Sequence, residues 1–283
     1  RCTTRKKRVP ATVEFTDLIA PARSGAQALV DVANYKNADA LVHVVRAFRD
    51  PAVPHPSGSI DPARDAQAME DELILADLGV AERRLERIDK DLKKGRSTEL
   101  EKEQDLLQRC RQALEAGTPL RRQQLTGSES AFLINYQPLS AKPVIVVFNT
   151  DESEPEVNLG KVLANPIEAA GMGGVSLCAK LEADLALMPD ADAEEFRLAL
   201  GIGDSLVSRV VRVTYETLGL VSFLTVGDDE VRAWSVPSGM PAQEAAGAVH
   251  SDFRRGFIRA EVIPYDDLVR CGSIAQGRRE GVL

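Results

Sequence analysis

Lys142-Pro-Val-Ile-Val-Val-Phe-Asn-Thr-Asp-Glu152 is the stretch from which the fold of this chain is read. Val144 to Phe148 form an unbroken apolar, mostly β-branched run between Pro143 and a polar turn. Such a run predicts a strand covered on both faces, the environment of a parallel sheet. In open α/β sheets the ligand crevice lies at the carboxyl ends of the strands. Asn149 and Glu152 stand at that end, where an amide and a carboxylate can read the edge of a purine base. The same residues also suit an ordinary strand end with an Asn-containing turn.

Toward the N-terminus, Val9 to Asp17 alternates Val13 and Phe15 with polar neighbours, which predicts a strand with one buried face. Asp17 would then project at the carboxyl end of the sheet, where an acid can hold a metal-bound water. A loop, Leu18 to Gly25, and a helical pattern through Leu29, Val32 and Ala33 follow. Ala40 to Phe48 reads as a second buried strand, with His43 inside it as a core histidine rather than a catalyst. Asp50 to Pro62 is a Pro-, Gly- and Ser-rich loop.

From Ala63 the composition turns to Glu, Lys, Arg, Leu and Ala. Leu73, Val80, Leu85, Ile88 and Leu92 fall in one segment, and Leu100, Leu107, Cys110 and Leu114 in a second. Between them, in Lys94-Gly95-Arg96-Ser97, Gly95 can close one helix and Ser97 can cap the next. The expectation is an antiparallel coiled-coil hairpin, serving either as an arm that meets a partner or as a solvated structural element.

Beyond Glu152 the pattern predicts a helix over Leu159 to Ala170, a strand over Gly173 to Cys178 entering Ala179-Lys180, and helices over Glu194 to Leu200 and Asp204 to Leu218. After Gly219 the texture changes. Val221 to Val226 and Val231 to Val236, joined through Gly227-Asp228-Asp229, read as a hairpin. Ala242 to Val249 reads as a helix, Phe257 to Ile263 as another strand, and Ser273 to Leu283 as a helix-like tail with no closing strand. Three parts are expected: an α/β domain over 1–62 and 129–218, an inserted helical arm over 63–128, and a small α+β module over 219–283.

Composition bounds the function. With 283 residues and a net charge of −8, the surface as a whole does not suit DNA or non-specific nucleic-acid binding. Local basic groups occur at Arg1, Arg5, Lys6, Lys7 and Arg8 and at Arg254, Arg255 and Arg259, and both suit a solvated surface more often than a binding site. Cys2, Cys110, Cys178 and Cys271 are scattered, which fits a reducing cytoplasm and argues against a structural zinc. No apolar run reaches membrane-spanning length and no signal peptide is visible. The sequence starts without Met, on a basic run leading straight into the first strand, so a further N-terminal part is expected.

Six stretches together carry a resemblance: Val9-Pro-Ala-Thr-Val-Glu-Phe15, His43-Val-Val-Arg-Ala-Phe48, Asp61-Pro-Ala-Arg-Asp65, Ala141-Lys-Pro-Val144, Glu230-Val-Arg-Ala-Trp234 and Asp252-Phe-Arg-Arg-Gly-Phe-Ile-Arg-Ala260. In this order they resemble the Obg-like ATPases of the YchF type, P-loop proteins of the translation-factor class. The resemblance implies a P-loop α/β domain with a mostly parallel sheet, an inserted coiled-coil hairpin and a C-terminal TGS module of β-grasp fold. It also implies ribosome or ribosomal RNA as partner and a purine nucleotide, ATP or GTP, at the strand ends. Asn149 takes the base-reading position and the Thr150 backbone lies against the base. Cys178, Ala179 and Lys180 match the next base-binding loop, whose backbone N–H groups contact the purine. Most GTP-binding relatives carry Asp three residues after the Asn. Here Glu152 stands there, as in this family, and its longer side chain misplaces the acceptor for guanine, which favours ATP.

Departures from the family pattern bear on catalysis. No G-x-x-x-x-G-K-[ST] occurs in the chain, so the phosphate cradle is missing, and Mg2+ is expected only where a P-loop is supplied. The family's Asp-x-x-Gly reads Asp17-Leu-Ile-Ala-Pro21, with Ala in place of Gly, and Asp17 keeps only an indirect, water-linked role toward a metal. No catalytic residue is assigned, and hydrolysis by this chain is doubtful. Two readings follow: a nucleotide-binding, ribosome-associated protein, or a degenerate non-catalytic relative serving as a ribosome- or protein-binding scaffold.

Overall fold

In a computed structural model of the chain, Val144, Ile145, Val146, Val147 and Phe148 are all buried, at most 6% exposed. The structure describes residues 7–17, 33–152, 172–200, 205–227 and 229–283. The expected loop over 18–25, the helical pattern through Leu29 and Val32, the helix over 159–170 and the turn residue Asp228 lie outside the described residues. The chain divides into two compact units, Thr16–Leu218 and Arg1–Phe15 with Gly219–Leu283.

The larger unit contains a parallel sheet of β2 (Leu41–Arg46), β3 (Val144–Asn149) and β4 (Met172–Leu177), with β3 central. The registers run in step, so Arg46, Asn149 and Leu177 end the three strands side by side. Side chains alternate across the pleat. Val144, Val146 and Phe148 therefore join Val45, Leu139 and the helix residues Leu73 and Ala76 in one core layer. Ile145 and Val147 turn the other way, with Val175 and Leu177, against Leu206, Val210 and Val213. Those last three lie on a helix over Leu206–Thr217, which Ser205 caps by accepting from the Ser208 N–H. Its approach depends on Gly173, where an added Cβ would stand 2.2 Å from Thr217 Oγ1.

The inserted arm is α2 (Pro62–Leu92) and α3 (Thr98–Glu115), following a short α1 (Ala33–Asn37). Asp61 caps α2 by accepting from the Arg64 N–H, with Pro62 at the first turn, which explains the Asp61-Pro-Ala-Arg-Asp65 spacing. Ser97 caps α3 by accepting from the Leu100 N–H, as the sequence implied. Gly95 is not in the left-handed conformation expected of a closing glycine. The turn is closed by the Asp91 carbonyl, which accepts from the Lys94 and Gly95 N–H groups. The seam joins Ile74, Leu85, Ile88, Leu106, Leu107, Cys110 and Leu114. Arg84 bridges it, donating to both oxygens of Glu103. At the base of the arm the buried Asp77 accepts from the Leu139 and Ser140 N–H groups at 2.9 and 2.7 Å, and burial pushes its carboxyl up from the ordinary value.

The smaller unit holds a three-stranded sheet in the order β1 (Lys7–Val9), β6 (Glu230–Pro237), β5 (Leu220–Val226). β5 and β6 form the expected hairpin, and the Gly227 N–H donates to the Glu230 carbonyl in its turn. Two expectations are corrected. Of the strand read over Val9 to Asp17 only Val9 lies in one, at the end of β1, which pairs parallel to β6 and lies outside the β2–β3–β4 sheet. Residues 10–17 are irregular, with Phe15 52% exposed, so their alternation finds no strand partner to bury against. Phe257 to Ile263 also forms no strand. It runs between helices over Ser251–Arg255 and Tyr265–Cys271, and Ile258 and Val262 are exposed. Only its ends tuck in, Ile263 against Gly277, whose missing Cβ leaves room for the Ile263 side chain.

Candidate functional site at the carboxyl ends of the parallel strands

Three strand ends converge on Asn149, and its backbone is held from both sides. The Ala47 N–H donates to the Asn149 carbonyl at 2.7 Å, and the next residue's N–H, that of Thr150, donates to the Leu177 carbonyl at 2.7 Å. The Thr150 hydroxyl donates to the same Leu177 carbonyl at 3.0 Å, and Thr150 is buried. The Asn149 side chain then reaches the first residue of the helix that follows β4. Its Oδ1 accepts from the Ala179 N–H at 3.0 Å. With the carbonyl oxygen engaged, the Nδ2 amide is the end left to donate to a ligand acceptor.

Cys178 is buried in extended conformation, and the helix over Ala179–Leu185 starts immediately after it. Glu182 in that helix fastens it to its neighbours. One carboxylate oxygen accepts from the Leu206 N–H at 3.1 Å, and the other pairs with Arg197 at 3.2 Å. The loop backbone beside Asn149 is therefore fixed from behind. Lys180 reaches across the site to Glu152, 3.1 Å from its carboxylate, and that carboxylate holds the Lys180 ammonium above its ordinary value. Both side chains are exposed, so the pair is solvent-screened and weak.

Asn149, Thr150, Glu152, Cys178, Ala179 and Lys180 thus stand together at one end of the sheet. Asp17 lies in the exposed, irregular stretch 10–17 and not at the end of a strand of this sheet. Among the described residues no group of three or more His, Cys, Asp or Glu is placed to hold a metal ion. His43 lies on the inward face of β2 beside the core layer, where burial lowers its pKa to about 4 against the pull of nearby Asp65.

Two contributors were missed in the sequence. Arg46, beside Asn149 in register, lies over the Phe48 ring at 4.6 Å and donates to the carbonyls of Phe48, Asp50 and Val53. It pins the loop that leaves β2 next to the site, and its place at the end of a buried strand was the available signal. The Leu177 carbonyl is the other, and being backbone it left no signal.

A family model named YchF-GTPase_C, described as a protein of unknown function (DUF933), matches residues 220–283. The chain is 36% identical over 284 residues to the ribosome-binding ATPase YchF of Bacillus subtilis (strain 168), covering 98% of this chain and 77% of that protein. It is 35% identical over 271 residues to the protein of the same description from Escherichia coli O157:H7, covering 93% and 74%. Obg-like ATPase 1 of Oryza sativa subsp. indica is 31% identical over 277 residues, covering 95% and 70%. Among solved structures, that of the Schizosaccharomyces pombe YchF GTPase aligns with a TM-score of 0.82 at 28% identity, covering 100% of this chain and 78% of that one.

Proposed function

The chain belongs to the YchF/Obg-like ATPase family, and from that premise we propose that it binds a purine nucleotide, ATP ahead of GTP, in a protein associated with ribosomes and the cytoplasm. The observation that supports this reading best is the Asn149 Oδ1 to Ala179 N–H bond. It engages Oδ1 and leaves Nδ2, which has no partner among the described residues, to meet a ring acceptor of the base, and it ties that amide to the backbone that would line the purine.

Glu152 supports the base preference. Guanine presents two adjacent donors that need a carboxylate acceptor held in place. The longer Glu side chain, paired with Lys180, is turned to another partner. Adenine makes no such demand. The phosphates have little to meet in this chain, since no G-x-x-x-x-G-K-[ST] is among its residues and Asp17-Leu-Ile-Ala-Pro21 replaces Gly by Ala. Hydrolysis by these residues is accordingly not part of the reading. Magnesium enters only where a phosphate-binding loop is supplied.

Titration of the 283-residue chain with a fluorescent adenine nucleotide tests this. Saturable binding, at least tenfold weaker for Asn149→Ala, with adenosine competing within about threefold of ATP, is the expected outcome. Equal binding by Asn149→Ala would remove the base-reading role.

A further inference from the structure

Two tethers of unequal strength hold the candidate site. On the sheet side, the Thr150 N–H and hydroxyl both reach the Leu177 carbonyl, next to a strand packed on both faces. On the other side, the Ala179 N–H that engages Asn149 opens a helix of only seven residues, Ala179–Leu185. A helix that short has no stability of its own in water and keeps its direction through tertiary contacts. Its side chains offer few of them. Leu185 is the one buried residue of the seven, and Ala179, Lys180, Ala183 and Asp184 are exposed.

Glu182 makes up the deficit. Its N–H donates to the Cys178 carbonyl at 3.1 Å, closing the turn that carries the Ala179 N–H. One side-chain oxygen accepts at 3.1 Å from the N–H of Leu206, the first residue of the helix over Leu206–Thr217. The first N–H groups of a helix lack partners within it, and a carboxylate there also meets the positive end of the helix dipole. The other oxygen pairs at 3.2 Å with Arg197, on a helix over Asp190–Ala199. Both side chains are less than a fifth exposed, and Arg197 Nε is buried with no hydrogen-bond partner among the described residues. The Leu206–Thr217 helix in turn packs Leu206, Val210 and Val213 against Ile145 and Val147 of β3. Glu182 thus joins the short helix to the strand that ends in Asn149 by a second route, separate from the Asn149–Ala179 bond.

We propose that Glu182 is a positioning residue for the purine. It sets the direction of the turn after Cys178, and through that turn the Ala179 N–H that fixes the Asn149 amide. That the ligand is a purine rests on the reading above. Without the Glu182 carboxylate the donor that holds Asn149 Oδ1 is no longer fixed, and binding must also order the amide and its partner.

Amide hydrogen exchange of the nucleotide-free chain, read at Ala179 and Thr150, tests the first link. Glu182→Ala should speed exchange at Ala179 at least about tenfold and leave Thr150 within about twofold, because the Thr150 bond belongs to the sheet. Equal acceleration at both, or none at Ala179, would overturn the proposal. Titration with a fluorescent adenine nucleotide tests the second link. Glu182→Ala should bind at least about fivefold more weakly, and Glu182→Gln, which keeps an oxygen for the Leu206 N–H, within about threefold of the parent chain. Glu182→Ala combined with Arg197→Ala strands no charge, so recovery of the parent's affinity in that double variant would assign the loss to Arg197 and contradict the proposal. Added to Asn149→Ala, Glu182→Ala should cost less than about twofold more, since the two act through one bond; a further fivefold loss contradicts that route. A parent chain that binds no purine while Ala179 loosens as stated sinks the purine reading alone. A parent chain whose binding falls with Asn149→Ala but not with Glu182→Ala sinks the role of Glu182 alone.

Discussion

Val144-Ile-Val-Val-Phe148 and Val221-Ser-Phe-Leu-Thr-Val226 have similar β-branched and aromatic texture, yet the structure treats them differently. β3 is flanked by parallel strands on both edges and packed on both faces, and every residue of its apolar run is buried. β5 is the edge of its sheet, with Val221 and Leu224 46% and 48% exposed. The difference teaches where a site can be held. A strand locked on four sides presents its last residues at a fixed place, and Asn149, Thr150 and the 178–180 loop inherit that rigidity. A half-exposed hairpin offers a surface instead.

Substitutions should break that contrast in a graded way. Phe148→Ala removes a fully buried ring and should cost about 3–5 kcal/mol, read as a lower urea midpoint for the larger unit. An unchanged midpoint would mean that β3 is not the core strand described. His43 comes next. Its folded pKa of about 4 lies below the ordinary 6.5, so its contribution is whole above pH 6.5. It is lost as the pH falls toward 4, because the unfolded chain takes up a proton that the folded one refuses. That amounts to about 3 kcal/mol, and His43→Leu should flatten stability between pH 6.5 and 4.5. Gly173→Ala should cost about 1–3 kcal/mol, since its Cβ meets Thr217 and Val213 and forces the 206–217 helix off the sheet. Val221→Ala, half-exposed on an edge, should change stability by no more than about 0.5–1 kcal/mol, and a cost rivalling that of Phe148→Ala would erase the comparison.

The same contrast explains what the sequence could disclose. β3, the Ser97 cap, the Ala242–Val249 helix and the β5–β6 hairpin rest on residues near each other in the chain, where pattern and capping chemistry act directly. Val13 and Phe15 show the limit. Their alternation fits a strand, but strands exist only in pairs, and here only Lys7–Val9 finds one, on β6 more than two hundred residues away. Phe257 to Ile263 fails for the same reason. At the candidate site the residue types were readable, Asn149 and Glu152 among them. The Asn149–Ala179 bond, the Glu152–Lys180 pair and the grip of Arg46 on its loop depend on parallel register, which no single segment encodes.

The base-reading claim is tested most directly by the ratio of GTP to ATP affinity in Glu152→Asp. Shortening that side chain should free the carboxylate from Lys180 and place it where guanine donors need it, raising the ratio about tenfold or more. A ratio equal to that of the parent chain would contradict the account.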